Sequence, residues 1–420
     1  MTAAVDIVNF GCRLNAAEGE TIRALAETAS GPPVIVLNTC AVTSAAERDA
    51  RRAARRLKRA RPDAEIVVTG CAAQRDPGQF ARMPEVARVV GNAEKLRAET
   101  WATGPAPRPR LAVGDIMRPG TVDAAPPEAA PTGTRAVLDA QLGCDHRCTF
   151  CIIPFTRGPS RSQPLGALAG RIDALLARGV REIVLSGIDL VSFGRDLPGQ
   201  PRLGGALRRL LARFPALARL RLSSIDPAGI DDALVDAFAN EPRLMPYAHL
   251  SLQSGDDLVL KRMRRRHSAA QALAAAARLR RARPDMVFGA DLIAGFPTET
   301  DAAAARSLRI LDEIDIAFAH VFAFDPRPGT PAARMPQVPA ATIAARAAAL
   351  RAAAENRLAA HLAARVGRSL DMLVEADGVS GRAADFTRVR LDAPHPRGDL
   401  LRCRALAAAR DHLIVTAETD

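Results

Sequence analysis

The chain has 420 residues, 48% hydrophobic and 25% charged, which is ordinary globular composition with enough length for two or three cored domains. No apolar run approaches the roughly 20 residues that span a bilayer, and the start Met-Thr-Ala-Ala-Val-Asp-Ile lacks the basic and apolar regions of a secretory signal, so a cytoplasmic protein with no membrane partner is expected. The net charge of +12 points to a polyanionic partner such as RNA, although Arg and Ala enrichment is also what a GC-rich genome produces.

Residues 1–102 read as an α/β unit. Short apolar strands are expected at Val5–Asn9, Val34–Leu37 and Ile66–Thr69, each followed within a few residues by a cysteine: Cys12, Cys40 and Cys71. Functional groups in open α/β sheets gather at the carboxyl ends of strands, so these three thiols are expected to converge. The cysteine contexts, Gly-Cys-Arg-Leu-Asn, Asn-Thr-Cys-Ala-Val-Thr and Thr-Gly-Cys-Ala-Ala-Gln, are polar turns, whereas core cysteines would fall within the strands. A helix over 44–61 carries Arg48, Arg52, Arg55, Arg56 and Arg59 on one side, which suits either a phosphate track or a solvated surface.

A stretch rich in Pro, Gly and Ala over 103–132 reads as a linker. From 133 to 355 strand and helix alternate six times, with strands at 136–141, 182–185, 219–223, 249–252, 287–293 and 317–322. That alternation implies parallel pairing and an open (βα)6 barrel, whose chemistry lies at the carboxyl ends of its strands.

The first of these strands leads into Gly-Cys-Asp-His-Arg-Cys-Thr-Phe-Cys, with Cys144, Cys148 and Cys151 in C-x3-C-x2-C spacing. Zinc or buried structural thiols are the plain alternatives, but zinc prefers a closed set of four ligands. Four-iron clusters normally take four cysteines, so a cube held by three leaves one iron open to bind and activate a substrate. Basic residues 261–266, including Arg264 and Arg265, follow the fourth strand near the expected barrel mouth, a position that favours contact with RNA phosphates over mere solvation. After a long helix from 340 to 365, strands near 370–374, 387–391, 400–405 and 413–416 read as a small β barrel over 356–420, with Cys403 in its core and Arg388 and Arg390 as candidate phosphate contacts. Residues 366–420 hold nine acids against eight basic residues, so this segment is not strongly basic.

The 144–151 run resembles the radical S-adenosylmethionine (SAM) superfamily, and together with the three upstream cysteines it resembles the methylthiotransferase family over nearly the whole chain. The resemblance implies an N-terminal methylthiotransferase domain holding an auxiliary [4Fe-4S] cluster on Cys12, Cys40 and Cys71. It also implies a radical SAM core with a second [4Fe-4S] cluster on Cys144, Cys148 and Cys151, and a C-terminal RNA-binding barrel of the TRAM type. SAM on the open iron would be reductively cleaved to a 5′-deoxyadenosyl radical, with Phe150 beside its adenine, Ser186 and Gly187 near its amino group, and Gly289 and Gly295 on the segment flanking the adenine.

Within the family, Asn38-Thr-Cys-Ala-Val-Thr43, Arg157-Gly-Pro-Ser-Arg-Ser162 and Pro326-Arg-Pro-Gly-Thr-Pro331 resemble the branch acting on threonylcarbamoyladenosine in tRNA. The implied partners are a tRNA anticodon stem-loop, with Arg52, Arg55 and Arg59 among its candidate contacts, an electron donor and a sulfur donor. The same chemistry on isopentenyladenosine or on a ribosomal protein is the nearest alternative. A non-catalytic iron–sulfur protein that binds RNA or senses iron is the alternative from another class.

Overall fold

The computed structural model describes residues 4–27, 32–102, 108–118 and 134–418. The chain divides into two compact units, one drawn from 1–131, 141–175 and 327–330, the other from 132–140, 176–326 and 331–420.

In the first unit, β1 (Val5–Asn9), α1 (Arg13–Glu27), β2 (Val34–Thr39), α2 (Ser44–Ala60), β3 (Glu65–Gly70), α3 (Cys71–Arg75), α4 (Pro77–Ala81), β4 (Arg88–Val90), α5 (Ala98–Trp101) and β5 (Leu111–Ala112) build a five-stranded sheet in the order β1-β2-β3-β4-β5. All four pairings are parallel. Alternation along β2 and β3 sends Ile35, Leu37, Ile66 and Val68 to one face and Val34, Val36 and Val67 to the other, and each face is covered by its own apolar cluster. Burial on both sides is why these strands read as continuous apolar runs. Thr43 starts α2 by accepting the Ala46 amide at 3.2 Å, so the last residue of the Asn-Thr-Cys-Ala-Val-Thr motif is a helix cap.

The described part of the expected 103–132 linker, 108–118, is held against the sheet. Leu111–Ala112 pairs with β4 as the sheet's edge strand, and Arg108 reaches Glu65 at 3.2 Å. Two paired residues are too short for sequence periodicity to register. The rest of that stretch lies outside the described residues.

β6 (Arg135–Leu142) starts in the second unit and ends in the first, where it pairs antiparallel with β7 (Arg161–Ser162) beyond the cysteine run and α6 (Ile153–Arg157). The second unit continues with α7 (Leu165–Ala177, begun in the first unit), β8 (Glu182–Gly187), α8 (Leu203–Arg213), β9 (Arg219–Leu222), α9 (Asp232–Asn240), β10 (Tyr247–Gln253), α10 (Asp257–Arg262), α11 (Ala269–Ala282), β11 (Val287–Ala294), α12 (Asp301–Ile314) and β12 (Ile316–Ala323). Its strands follow the order β6-β8-β9 and β10-β11-β12. The two groups are joined by parallel bridges at Leu220–Leu244 and Ile225–Leu250. This is the six-stranded open barrel that the alternation implied.

α13 (Ala340–Ala363) runs unbroken across residue 356, so the expected domain boundary there falls inside a helix. Beyond it, β13 (Ser369–Val374), β14 (Ser380–Ala383), β15 (Arg388–Leu391), β16 (Leu400–Ala408) and β17 (Leu413–Ala417) close a barrel in the order β13-β14-β15-β17-β16. Its core contains Leu370, Met372, Val389, Leu413 and Val415, with Cys403 fully buried among them and Leu362 of α13 packed in.

Candidate active site

The first unit carries six of the seven cysteines, all as free thiols. Cys12 and Cys40 stand on the turns after β1 and β2 and Cys71 opens α3 directly after β3, and the register of those strands sets Asn9 beside Asn38 and Asn38 beside Thr69. Side chains of the same strand ends lock the three turns together. Asn38 donates to the Asn15 carbonyl at 2.7 Å and to Asn9 Oδ1 at 3.2 Å, and Asn15 donates to the Thr39 carbonyl at 3.0 Å. Thr39 Oγ1 donates to the Thr69 carbonyl at 2.6 Å and accepts the Ala73 amide at 3.3 Å. The polar residues around these cysteines therefore fix the turns that present the thiols.

Two glycines let the turns approach. Gly11 has φ +86°, and a Cβ there would sit 2.6 Å from Cys40 Sγ. Gly70 has φ +94°, and a Cβ there would sit 2.4 Å from the Thr39 backbone.

Cys40 and Cys71 are buried and Cys12 is exposed. Burial pushes the Cys40 thiol up to about 11, with the neighbouring Cys71 and Cys12 sulfurs adding to the rise. Three soft donors gathered on adjacent turns fit a cluster held by three thiolates, since each must lose its proton to bind and a metal removes the penalty that burial places on the anion.

Around Cys71 lies a buried polar network. Arg157, the last residue of α6, donates from Nε to Cys71 Sγ at 3.2 Å and from Nη2 to Asn15 Oδ1 at 2.6 Å. It also pairs with both carboxylate oxygens of Glu18, the Nη2–Oε2 bond being 2.9 Å. Lys95 Nζ donates to Glu18 Oε2 at 2.7 Å and to Asn38 Oδ1 at 3.3 Å. Burial pushes the Glu18 carboxyl up, but the Arg157 and Lys95 charges outweigh it and hold the group at about 2. Asn92 Nδ2 reaches Cys71 Sγ at 3.7 Å and donates to the Thr156 carbonyl at 2.8 Å. Sequence reading passed over Glu18, Asn92 and Lys95; only their being charged or amide residues near the cysteine strands could have flagged them.

Cys144, Cys148 and Cys151 are half-buried on one loop. The Cys144 amide donates to the Gly158 carbonyl at 3.0 Å and the Cys151 amide to the Cys148 carbonyl at 3.0 Å, which folds the loop back on itself. Gly143, at φ +69°, allows this, because a Cβ there would fall 1.9 Å from the Pro159 carbonyl oxygen. Phe150 is half-buried, and α6 follows directly.

In the second unit, Ser186 and Gly187 end β8, and the Gly187 amide donates to Ser223 Oγ at 3.1 Å. Both glycines expected near the adenine also have packing reasons. A Cβ at Gly289 would meet Tyr247 Oη at 2.2 Å, and one at Gly295 (φ +74°) would meet Ile343 of α13 at 2.6 Å. On β10, β11 and β12, His249, Asp291 and His320 converge: Asp291 Oδ1 lies 3.6 Å from His249 Nε2 and 3.2 Å from His320 Nδ1, while His249 Nδ1 meets Ser224 Oγ at 2.8 Å. Asp291 and His320 escaped sequence reading because strand neighbours across a barrel carry no common spacing.

The arginines divide. Arg48, Arg52, Arg55, Arg56 and Arg59 are exposed on α2, opposite the buried Ala50, Ala53 and Ala54. Arg264, Arg388 and Arg390 are also exposed, with Arg388 paired to Asp411 at 2.7 Å. Arg265 differs: its side chain is 9% exposed and is tied to Asp226 at 3.0 Å and to the Ser251 carbonyl at 2.7 Å. An interior ion pair occupies it, which removes it from the phosphate-facing set.

An open six-stranded α/β barrel whose first strand runs into a three-cysteine loop defines the class of radical SAM enzymes. Residues 140–311 match the family described as the Radical SAM superfamily, and residues 4–91 match the uncharacterized protein family UPF0004. The radical SAM methyltransferase TsrM from Kitasatospora setae shares the fold, with a TM-score of 0.55 and 15% identity over 79% of this chain and 75% of that one. The threonylcarbamoyladenosine tRNA methylthiotransferase MtaB of Rickettsia prowazekii is 42% identical over 92% of this chain and 91% of its own length. A tRNA-2-methylthio-N(6)-dimethylallyladenosine synthase of Cereibacter sphaeroides is 37% identical over 97% of each chain. The chain belongs to the radical SAM tRNA methylthiotransferase family, whose cofactors are SAM and two [4Fe-4S] clusters.

Proposed function

We propose that this enzyme attaches a methylthio group to C2 of N6-threonylcarbamoyladenosine beside the anticodon of tRNA. The carrying observation is the pair of three-cysteine sites on one chain, joined to 42% identity with the Rickettsia prowazekii protein over 92% of this sequence. Cys144, Cys148 and Cys151 would hold one cluster by three of its irons, and Cys12, Cys40 and Cys71 the other. When bound, the clusters and SAM supply radical activation of the adenine C–H bond, the sulfur attachment point and the methyl group.

The chain's own residues do the holding and aiming. Asn15, Asn38 and Thr39 fix the turns that present the auxiliary thiols, and Arg157 and Asn92 set donors against Cys71. Exposed Arg48, Arg52, Arg55, Arg56 and Arg59 offer a cationic track for tRNA phosphates, with Arg264, Arg388 and Arg390 as further contacts. An electron donor and a sulfur donor complete the reaction. No helix among the described residues is long and apolar enough to cross a membrane, and a tRNA substrate places the work in the cytoplasm.

The 37% identity to the dimethylallyladenosine enzyme favours isopentenyladenosine as the second reading. Nucleoside mass spectrometry of tRNA from cells with and without the gene separates the two. Loss of 2-methylthio-threonylcarbamoyladenosine alone supports the proposal; loss of the methylthio-isopentenyl nucleoside instead assigns the other branch, and unchanged tRNA rejects both.

A further inference from the structure

A side chain from the other cysteine segment reaches one of the auxiliary thiols. Arg157 lies six residues beyond Cys151, yet its Nε meets Cys71 Sγ, 86 residues earlier in the chain, at 3.2 Å. Asn92 makes the same connection a second time, with one amide hydrogen toward Cys71 Sγ and the other on the Thr156 carbonyl. Ile152 packs in the apolar cluster that also contains Cys71, Ala72 and Ala73, so α6 is seated on α3 by both polar and apolar contacts.

Charge balance gives this arrangement a direction. Arg157, Lys95 and Glu18 are all buried, and Glu18 supplies one carboxylate to two basic groups. A buried cation is expensive unless its donors are met, and Arg157 places Nη1 and Nη2 on Glu18 and Asn15 and its Nε on the Cys71 sulfur. A cationic N–H aimed at a sulfur that ligates a cluster makes a charge-assisted bond that withdraws electron density from that sulfur. Cluster potentials respond to net charge and to hydrogen bonds on the cysteine sulfurs, and both effects make an added electron more favourable here.

We propose that Arg157 is a positioning residue for the auxiliary cluster: it orients the Cys71 thiolate, ties it to the segment carrying Cys144, Cys148 and Cys151, and raises the potential at which that cluster accepts an electron. This rests on the functional reading above, in which Cys12, Cys40 and Cys71 hold a cluster. Glu18 holds the guanidinium in place through paired bonds, a geometry that the single ammonium of lysine cannot reproduce.

The test uses the full chain, reconstituted anaerobically, in a Cys148→Ala background that leaves only the auxiliary cluster. Dithionite titration followed by electron paramagnetic resonance measures the midpoint of its one-electron reduction, with iron content and thermal melting measured in parallel. Arg157→Lys keeps the charge without the fork. Arg157→Gln with Glu18→Gln removes the guanidinium together with one carboxylate, which leaves the net buried charge unchanged. The expected result is a more negative midpoint in the double substitution and an intermediate one in Arg157→Lys. An unshifted midpoint at full iron content overturns the assignment to Arg157, and if the double substitution does not fold, Arg157→Lys decides alone. Absence of any cluster in the Cys148→Ala chain overturns the functional reading itself.

Discussion

Arg221 on β9 donates from Nε to Glu182 Oε1 on β8 at 2.8 Å, and both side chains are buried. The guanidinium also donates to the carbonyls of Ala383 and Ala384, each at 2.7 Å, so one residue of the radical SAM barrel reaches the C-terminal barrel. Arg219 adds a bond to the Arg382 carbonyl at 3.0 Å, and Tyr247 stacks on Phe386 with centroids 4.7 Å apart. Arg221→Met leaves Glu182 without its principal partner and removes the guanidinium donor from the Ala384 carbonyl, while the Ala383 carbonyl keeps the Phe386 amide at 3.0 Å. Loss of one partner from a buried ion pair costs about 3–5 kcal/mol. Urea unfolding should show a drop of that size, and Arg221→Met with Glu182→Leu should recover part of it.

The cysteine sites separate by mutation. Cys148→Ala should abolish reductive cleavage of SAM, whereas Cys40→Ala should retain cleavage and lose thiolated product. Thiolated tRNA from a Cys40→Ala chain with no cluster at that site would refute the two-cluster assignment.

Gly11 tests the approach of the first two cysteine turns. Gly11→Ala places a methyl 2.6 Å from Cys40 Sγ at a φ of +86° that an L side chain rarely adopts. The expected outcome is a chain with close to half the iron of the parent and normal SAM cleavage. Full iron content would show that the turn can shift.

His361 on α13 makes the docking of the C-terminal barrel acid-sensitive. Burial pushes its imidazole down to about 4, while Asp385 opposes that fall and Arg365 and Arg357 add to it. Nε2 accepts from Arg365 Nε at 3.1 Å and meets Thr387 Oγ1 at 2.8 Å, as a neutral ring would. A folded value below the unfolded value near 6.5 means that the unfolded chain takes up the proton first. Stability is therefore complete above 6.5 and falls as pH drops from there to about 4, by roughly 3 kcal/mol in all. Thermal melts across that window should show the decline, and His361→Gln should flatten it.

The α2 arginines bear on tRNA affinity. Arg52→Ala, Arg55→Ala and Arg59→Ala together should weaken binding across tRNAs and reduce the salt dependence of log K by about 2 to 3, since each phosphate contact contributes roughly 0.7–0.9. An unchanged slope would make α2 an ordinary solvated surface.

Periodicity alone located the three cysteine-bearing strands, the six barrel strands and the long helix after them, because each is an apolar stretch whose neighbours in sequence determine its form. The six cysteines were legible for a related reason: three stand in a local motif, and three follow strands whose parallel pairing brings their ends together. Tertiary structure decided what local pattern cannot carry. The Leu111–Ala112 edge strand exists only because β4 offers it a partner. Arg265 looked like a phosphate contact within a basic run, but Asp226, 39 residues away, claims it. Arg157, Glu18 and Lys95 are far apart in sequence and form one buried network only when the cysteine loop folds against the first sheet. Buried charges find their partners in space, and no spacing in the chain encodes that choice.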